Sequence, residues 1–281
     1  MSISGAARIA GVMGWPVAHS RSPALHGFWL AEHGIDGAYV PLPVRPENVR
    51  RALQALPLLG FAGCNVTIPH KEAALEAVDE LDASARRAGA VNTVVVDAKG
   101  RLVGRNTDGF GFLESLRAGV PGWSAAAGPA VVLGAGGAAR SVVAALIDAG
   151  APEIRLVNRT PARAAALAKQ LGGPVRGVAW EGRARSLEGA ALLVNATSLG
   201  MAGQPALDLA LDALPQGAVV NDIVYVPLET PLLKAARARG HPAVDGLDML
   251  LHQGRPGFSA WFGVMPAVTP ALRRAMEATL R

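Results

Sequence analysis

The chain has 281 residues, a length that suits two domains better than one. Hydrophobic residues make up 51% of it, which excludes an intrinsically disordered protein because such a chain can bury a large core. The net charge is +5, but the basic residues are scattered and aromatic residues are scarce, so we expect no nucleic-acid partner.

The first hundred residues alternate short apolar runs with helical patterns, which predicts a largely parallel sheet. Ser22 is expected to cap the first helix, with Pro23 at its start. Two apolar runs, 91–96 and 102–105, flank a turn at 98–100 and predict a hairpin. The other predicted elements of this half are strands at 9–13, 38–42 and 61–66 and helices at 46–56 and 69–78.

The sequence pattern of the second half predicts a series of strand–helix–strand units. A strand at 130–133 leads through a glycine-rich turn into a helix that ends near residue 149. The last residues, 247–280, predict two helices interrupted near 263–266. The remaining predicted elements are a strand at 153–157, a helix at 162–171, and strands at 192–194 and 218–220.

Cys64 is the single cysteine, so the chain forms no internal disulfide and no thiolate metal cluster. Its place in a buried strand predicts a packing role. The first residues lack the pattern of a signal peptide, and the uncharged stretches 118–139 and 189–207 are too rich in glycine, proline or polar residues to span a bilayer. We therefore expect a cytoplasmic protein without a membrane partner.

The run from Val131 to Ala139 is a dinucleotide fingerprint between a strand and a helix. Gly134 permits the tight turn, Gly136 lets the backbone approach a pyrophosphate, and Ala139 allows close packing of helix on strand. The helix N-terminus presents N–H groups and a partial positive charge to the phosphates.

The end of the next strand indicates which dinucleotide is bound. Enzymes that bind NAD usually carry an acidic residue there, which holds the ribose 2′-hydroxyl. This chain has Asn158, Arg159 and Thr160 instead, with Arg163 one turn later. Because a guanidinium pairs with a phosphate and a carboxylate repels it, we expect NADP(H) rather than NAD(H).

Polar clusters follow several strands of the first half, where open α/β sheets bind ligands. Ser20 and Ser22 lie beside a helix start and suit a carboxylate. Thr67 and Asn92 are neutral and suit ligand hydroxyls, and Lys71 and Asp108 are the oppositely charged pair among these clusters. Together with the net positive charge, this chemistry favours an enzyme whose ligands are anionic.

Taken together, these motifs resemble the shikimate dehydrogenase family, from Gly14 to Gln253. The resemblance implies an α/β fold of two domains with the active site in the cleft between them. A discontinuous substrate-binding and catalytic domain would comprise 1–105 and 241–281, and a Rossmann NADP-binding domain would comprise 106–240. The matching motifs are Ser-x-Ser-Pro, Asn-Val-Thr-x-Pro-x-Lys, Gly-Ala-x-Asn-Thr, Asn-Thr-Asp-Gly, Gly-Ala-Gly-Gly-Ala-Ala-Arg and Asn-Arg-Thr, extended by the runs 195–201 and 222–227.

The resemblance also implies roles for single residues. Lys71 matches the acid–base catalyst and Asp108 its partner. The carboxylate binders are Ser20 and Ser22, and the ligand-holding residues are Thr67, Asn92, Tyr225 and Gln253. The NADP(H) site would comprise Gly134, Ala135, Gly136, Gly137, Ala138, Asn158, Arg159, Thr160, Arg163, Thr197, Ser198, Ile223 and Gly246. No metal site is expected, because His19, His26 and His70 lack ligand-like spacing. Gly27 departs from the family pattern, which often has a polar residue there.

The implied activity is the reversible NADP-dependent reduction of 3-dehydroshikimate to shikimate, on the route to chorismate and aromatic amino acids. An enzyme that also uses quinate, or a related paralogue, stays open as an alternative. So does a protein of another class, a catalytically silent sensor of NADPH or ligand. The sequence leaves open whether the chain is a monomer or a homodimer.

Overall fold

A computed structural model describes residues 3–280 of the chain. The chain divides into two compact units: residues 3–107 with Gln253–Thr279, and Asp108–His252. None of the helices in residues 3–280 is long and apolar enough to cross a membrane.

The first unit is built on a six-stranded sheet in the order β2-β1-β3-β5-β6-β4. Its strands are β1 (Arg8–Gly14), β2 (Gly37–Pro43), β3 (Phe61–Val66), β4 (Glu80–Leu81), β5 (Thr93–Val96) and β6 (Leu102–Arg105). Its helices are α1 (Ser22–Glu32), α2 (Val49–Ala55) and α3 (Ala83–Ala88).

The expectation of a largely parallel sheet is only half right for this unit. β1 pairs in parallel with β2 and β3, and β4 pairs in parallel with β6. The hairpin prediction is confirmed: β5 and β6 are antiparallel, and β5 is also antiparallel to β3. A short turn can join only antiparallel neighbours, so the sheet is mixed.

Two local predictions for this unit are wrong. Residues 69–78 contain a single 3₁₀ turn, Ala73–Glu76, rather than an α-helix. The carbonyl oxygens of Ile68 and Lys71 accept hydrogen bonds from Trp15 and Val91 in other segments, so they are not used in a helical ladder. Ser22 is the first residue of α1 and makes no side-chain cap.

Aromatic residues fill one part of the core of the first unit. Trp29, Trp261 and Phe258 are at most 1% exposed. The indole N–H of Trp261 donates to the carbonyl oxygen of Val94 at 3.0 Å, which ties this aromatic cluster to β5. A separate aliphatic cluster includes Met13, Leu53, Cys64, Val66, Val91 and Val94.

The second unit is a six-stranded sheet that is parallel throughout. Its strands are β7 (Ala130–Leu133), β8 (Ile154–Asn158), β9 (Val175–Ala179), β10 (Leu192–Asn195), β11 (Val219–Asp222) and β12 (Ala243–Val244), in the order β12-β11-β10-β7-β8-β9. The helices from here on are α4 (Asp108–Gly119), α5 (Gly137–Asp148), α6 (Pro161–Leu171), α7 (Pro231–Ala238), α8 (Gly246–Phe262) and α9 (Pro270–Glu277). The chain runs outward from β7 in both directions, as in a doubly wound Rossmann sheet.

The chain returns from the second unit to the first at a later residue than the sequence suggested. The resemblance put the return to the first unit at residue 241, whereas residues 241–252 cluster with the second unit. The cause is β12, whose Ala243 and Val244 pair with Val220 and Asn221 of β11. α8 therefore begins in the second unit, and its residues from Gln253 onward belong to the first.

Candidate active site

The glycine turn after β7 requires glycine at its first position. Gly134 has a φ of +105°, a conformation that side chains rarely adopt. A Cβ atom there would lie 2.8 Å from the carbonyl oxygen of Ala196. The Gly134 N–H donates to the carbonyl oxygen of Val157 at 2.7 Å, so the turn is fixed to the end of β8.

The next two glycines have open space around them. A Cβ atom added at Gly136 or Gly137 would meet no heavy atom within 4 Å. Gly136 is the N-cap residue of α5 and supplies no side-chain cap. Ala139 is fully buried, as the packing of helix on strand requires. The backbone here can therefore be approached closely by a pyrophosphate at the helix N-terminus.

The residues after β8 suit a 2′-phosphate. Asn158 ends the strand, and its side-chain amide donates to the carbonyl oxygen of Thr160 at 3.0 Å. Arg159, Thr160 and Arg163 are exposed, and residues 158–163 contain no carboxylate. Two guanidiniums with no neighbouring negative charge in this run match NADP better than NAD.

A buried polar network holds the loops that follow β10 and β11. The Asn195 side-chain amide donates to Asp222 Oδ1 and to the Leu199 carbonyl oxygen, each at 3.0 Å. Asn195 Oδ1 accepts from the Thr197 hydroxyl at 2.7 Å, and Thr230 Oγ1 donates to Asp222 Oδ2 at 2.7 Å. The predicted cofactor residue Thr197 is thereby fixed, and Ser198 beside it is exposed.

Asp222 is the charged member of this network and is completely buried. Burial raises the pKa of its carboxyl group. The hydrogen bonds from Thr230, Val224 and Asn195 oppose that shift. Its role is to support the two loops, because those three groups occupy both of its oxygens.

Gly246 is required by a close backbone contact. A Cβ atom there would lie 2.2 Å from the carbonyl oxygen of Ile223 and 2.7 Å from that of Val224. Ile223 and Tyr225, which follow β11, are half-buried. Any side chain at position 246 would displace the segment that carries both residues.

Asp108 begins α4 and is 7% exposed. A carboxylate in the first turn of a helix is favoured by the helix dipole. The next residue, Gly109, lies against α5, because a Cβ atom there would be 3.0 Å from the Cβ of Ala145. The close packing of α4 on α5 therefore fixes the position of Asp108 within the second unit.

In the first unit, Ser20 and Ser22 lie at the start of α1. Ser20 Oγ accepts a hydrogen bond from the Ser22 N–H at 3.3 Å. Ser20 is half-buried and Ser22 is buried. The two hydroxyls therefore belong to one short segment, two residues apart, at the start of the helix.

The segment from Thr67 to Lys71 is anchored on several sides. The Thr67 N–H donates to the Met13 carbonyl oxygen at 2.9 Å. The His70 imidazole donates through Nε2 to the Val44 carbonyl oxygen at 2.7 Å. The Lys71 carbonyl oxygen accepts from the Val91 N–H at 2.9 Å. Thr67 and Lys71 are both half-buried, so the segment places a hydroxyl and an ammonium group near the carboxyl end of β3.

Asn92 is the centre of a buried hydrogen-bond cluster. Its Oδ1 accepts from the Thr93 hydroxyl at 2.9 Å, the Thr107 N–H at 2.8 Å and the Thr107 hydroxyl at 3.2 Å. The amide orientation of Asn92 is therefore defined. Asn65, Thr93 and Thr107 lie within the sequence motifs named above, but no role was predicted for them. Each shares a motif with a residue that has a predicted role, and this proximity is the signal that could have identified them.

Two of the histidines considered above, and the single cysteine, are packed inside the fold. His26 and His70 are buried, and Cys64 is completely buried in β3, where burial raises the pKa of its thiol to about 12. The packing role predicted for Cys64 is thus confirmed. Within residues 3–280, no group of three or more histidine, cysteine or acidic residues could hold a metal ion.

The parallel sheet brings most of the predicted cofactor residues to one edge of the second unit. The glycine turn follows β7, Asn158 ends β8, Thr197 follows β10, and Ile223 follows β11. Strand order reverses between β7 and β10, where doubly wound sheets bind their ligands. In the first unit, Thr67 and Asn92 lie on the neighbouring strands β3 and β5 or next to them, and Gln253 is half-buried on α8.

A doubly wound parallel sheet, an open glycine turn and an arginine pair in place of an acidic residue define an NADP-binding Rossmann domain. With an α/β unit that carries Ser22, Thr67 and Lys71, the chain falls into the class of two-domain NADP-dependent oxidoreductases. Residues 12–94 match the family model of the shikimate dehydrogenase substrate binding domain, and residues 123–201 match that of shikimate/quinate 5-dehydrogenase. The chain belongs to the shikimate dehydrogenase family.

Individual relatives agree with this assignment. The chain is 65% identical over 271 residues to the shikimate dehydrogenase (NADP(+)) of Paramagnetospirillum magneticum, covering 96% of this chain and 98% of the relative. The Thermus thermophilus shikimate 5-dehydrogenase, solved with NADP(H) and shikimate, is 42% identical with a TM-score of 0.83 and coverage of 97% and 98%. The Corynebacterium glutamicum quinate dehydrogenase, solved with NAD, is 34% identical with a TM-score of 0.89 and coverage of 97% and 99%.

Proposed function

We propose that this chain is an NADP-dependent shikimate dehydrogenase that interconverts 3-dehydroshikimate and shikimate. The observation that carries this proposal is the 65% identity, over nearly the whole of both chains, to a relative of that name. The family's site motifs also occur in this sequence in the family's order.

The residues of the second unit fit NADP(H). The open backbone at Gly136 and Gly137 suits the pyrophosphate, and the exposed Arg159 and Arg163 suit the 2′-phosphate. When bound, NADPH supplies the hydride that reduces the ketone carbon of the substrate. The loop holding Thr197, which the Asn195 network fixes, completes the set of residues assigned to the cofactor.

Lys71 and Asp108 supply the proton chemistry in this proposal. The Lys71 ammonium group stabilises the negative charge that develops on the carbonyl oxygen and donates a proton from Nζ to it. In the oxidative direction, neutral Lys71 accepts the hydroxyl proton. The carboxylate of Asp108 holds the ammonium group in position. This pairing is taken from the family resemblance of the motifs that carry the two residues.

The remaining site residues bind and orient the substrate. The hydroxyls of Ser20 and Ser22 bind its carboxylate. Thr67 and Asn92 bind ring hydroxyls, because both offer neutral donors and acceptors. Tyr225 and Gln253 hold the ligand from the segments that follow β11 and form α8.

Two other functions stay in competition. Quinate oxidation has a specific observation behind it, because the quinate dehydrogenase noted above shares the fold at 34% identity. The arginines after β8 argue against a preference for NAD. A catalytically silent ligand sensor is the candidate from another class, and the presence of both Lys71 and Asp108 argues against it.

A single set of assays tests the proposal. Purified protein is mixed with shikimate or quinate and with NADP+ or NAD+, and formation of the reduced nicotinamide is followed by absorbance. We expect the highest kcat/KM with shikimate and NADP+. A higher kcat/KM with quinate would favour the second candidate, and tight NADPH binding without turnover would favour the sensor.

The wider setting of the enzyme follows the same proposal. Its partner is a small-molecule substrate, and the reaction belongs to the route to chorismate and aromatic amino acids, as in the family. A cytosolic location is consistent with a single, buried cysteine. Size-exclusion chromatography with light scattering distinguishes a monomer from a homodimer.

A further inference from the structure

Tyr39 lies in β2 and is 7% exposed, but it is not a simple core residue. Its phenol donates a hydrogen bond of 2.6 Å to Asn65 Oδ1 in β3. Burial raises the pKa of the phenol well above its ordinary value, so the hydroxyl remains a donor throughout the neutral range. The bond therefore has a fixed direction, from Tyr39 to Asn65.

The direction of this bond determines the ones that follow. With Asn65 Oδ1 accepting from Tyr39, the amide nitrogen of Asn65 donates to Thr93 Oγ1 and to the Asn92 carbonyl oxygen, each at 3.1 Å. Thr93 uses its own hydroxyl proton toward Asn92 Oδ1 at 2.9 Å. Three of these bonds form a relay from Tyr39 through Asn65 and Thr93 to Asn92, in which each acceptor orients the next donor.

His26 holds the start of the relay in place. Its ring stacks on the Tyr39 ring at a centroid distance of 3.9 Å and an interplanar angle of 2°. Burial lowers the pKa of His26 to about 3, so the imidazole is neutral in the folded protein. The ring therefore serves as a flat packing surface for the phenol.

We propose that Tyr39 is a positioning residue for substrate binding, because its hydroxyl, through Asn65 and Thr93, supports one of the three hydrogen bonds that orient the Asn92 amide. This inference rests on the proposed function, in which Asn92 binds a substrate hydroxyl. Without the Tyr39 hydroxyl, Asn65 Oδ1 loses this donor, and the Asn65 side chain is held by its bonds to the Asn92 carbonyl oxygen and Thr93 Oγ1 alone. The Asn65 side chain can then shift, which displaces Thr93 Oγ1 and weakens the bond that Thr93 donates to Asn92 Oδ1.

The test begins with Tyr39→Phe, which removes the hydroxyl and keeps the ring stacked on His26. We expect the KM and the calorimetric Kd for shikimate to rise about tenfold, with the Kd for NADP+ unchanged. Trp29→Phe is the matched control, since it removes another buried donor of the same aromatic cluster, one that bonds the Ala267 carbonyl oxygen. The control should lower the melting temperature while leaving the shikimate Kd unchanged.

A double-mutant cycle then tests the route. Thr93→Val interrupts the relay, so adding Tyr39→Phe to it should raise the shikimate Kd no further, whereas Thr93→Ser keeps the hydroxyl and should behave like the wild type. An unchanged Kd in Tyr39→Phe, or additive effects in the cycle, would overturn the role of Tyr39 while the enzyme stays a shikimate dehydrogenase. A wild-type chain that neither binds nor oxidises shikimate would overturn the proposed function itself, and the inference with it.

Discussion

The backbone N–H of Val91 donates a 2.9 Å hydrogen bond to the carbonyl oxygen of Lys71. The neighbouring residue, Asn92, uses its own carbonyl oxygen to accept from the Val66 N–H at 2.8 Å. The main chain thus holds the Lys71 segment beside Asn92 and β3. Because these bonds join main-chain atoms only, replacing the Lys71 side chain removes neither of them.

Lys71→Met is therefore expected to separate catalysis from binding. We expect kcat for shikimate oxidation to fall by about 10²–10⁴-fold, the usual contribution of a positioned acid or base, while KM changes little. Steady-state kinetics at saturating NADP+ measure both quantities. Lys99→Met, in the exposed turn of the β5–β6 hairpin, is the matched control and should match the wild type. A large rise in KM at near-normal kcat would make Lys71 a binding residue instead.

Arg159→Asp is expected to change the cofactor preference. The new carboxylate would repel a 2′-phosphate and would be able to accept a hydrogen bond from a ribose 2′-hydroxyl. We expect kcat/KM for NADP+ to fall by about tenfold or more, with that for NAD+ maintained or raised. The ratio of the two constants is the measurement.

The control for this variant is Arg51→Asp, which makes the same charge change at an exposed position of α2 in the other unit. It separates a local contact from the field of the whole protein, because both variants lower the net charge equally. If Arg159→Asp left the NADP+/NAD+ ratio as it is in the wild type, the role assigned to Arg159 would be wrong.

The cofactor half of the site could be predicted from the sequence because its signals are local. The glycine turn and the run from Asn158 to Thr160 each follow a strand directly, and each motif carries its own geometry. β9 was not predicted, because it is an edge strand whose residues do not alternate between buried and exposed. Arg176 and Gly177 in its middle are both exposed. β12 has two residues, too few to show a pattern in the sequence. Its pairing with β11 places residues 241–252 in the second unit, whereas the sequence predicted that the first unit resumes at 241.

The substrate half depended more on long-range pairing. β1 lies between β2 and β3, so nothing in the spacing of Tyr39 and Asn65 indicates that their side chains bond. From the sequence, an aromatic residue in a predicted strand is expected to be a core residue, and only the assembled sheet gives the Tyr39 hydroxyl an acceptor. The wrong helix at 69–78 has the same origin, since distant donors use the carbonyl groups that a helix would need.

Gly134 and Gly136, the first two glycines of the turn after β7, should respond differently to substitution by alanine. Gly134→Ala strains a φ of +105° and brings Cβ within 2.8 Å of the Ala196 carbonyl oxygen, so we expect about 1–3 kcal/mol of lost stability. Gly136→Ala has a φ of −92° and open space, so the fold should tolerate it while the added methyl group weakens NADP+ binding.

Thermal unfolding without ligand and the calorimetric Kd for NADP+ separate these two effects. Gly134→Ala should unfold at a lower temperature than the wild type, and Gly136→Ala should unfold at the same temperature with a raised Kd. Each variant serves as the other's control, because both add one methyl group to the same turn. Equal melting temperatures for the two variants would contradict the strain assigned to Gly134.

Glu153→Gln is expected to lower stability in a pH-dependent way. Hydrogen bonds from Arg155 and then Arg176, at 2.6–3.1 Å, lower the pKa of the Glu153 carboxyl group to about 2. Since this pKa is lower in the folded than in the unfolded chain, the carboxylate stabilises the fold above about pH 4.5, and that contribution is lost as the pH falls toward 2. We expect the variant to lose on the order of 1–2 kcal/mol of unfolding free energy at pH 7, after allowance for solvent screening, and less at pH 3.

Denaturant titrations at both pH values measure this loss of unfolding free energy, with Glu47→Gln at an exposed position as the control. A loss of the same size at pH 7 and pH 3 would mean that packing, rather than the charge of Glu153, stabilises this corner of the sheet.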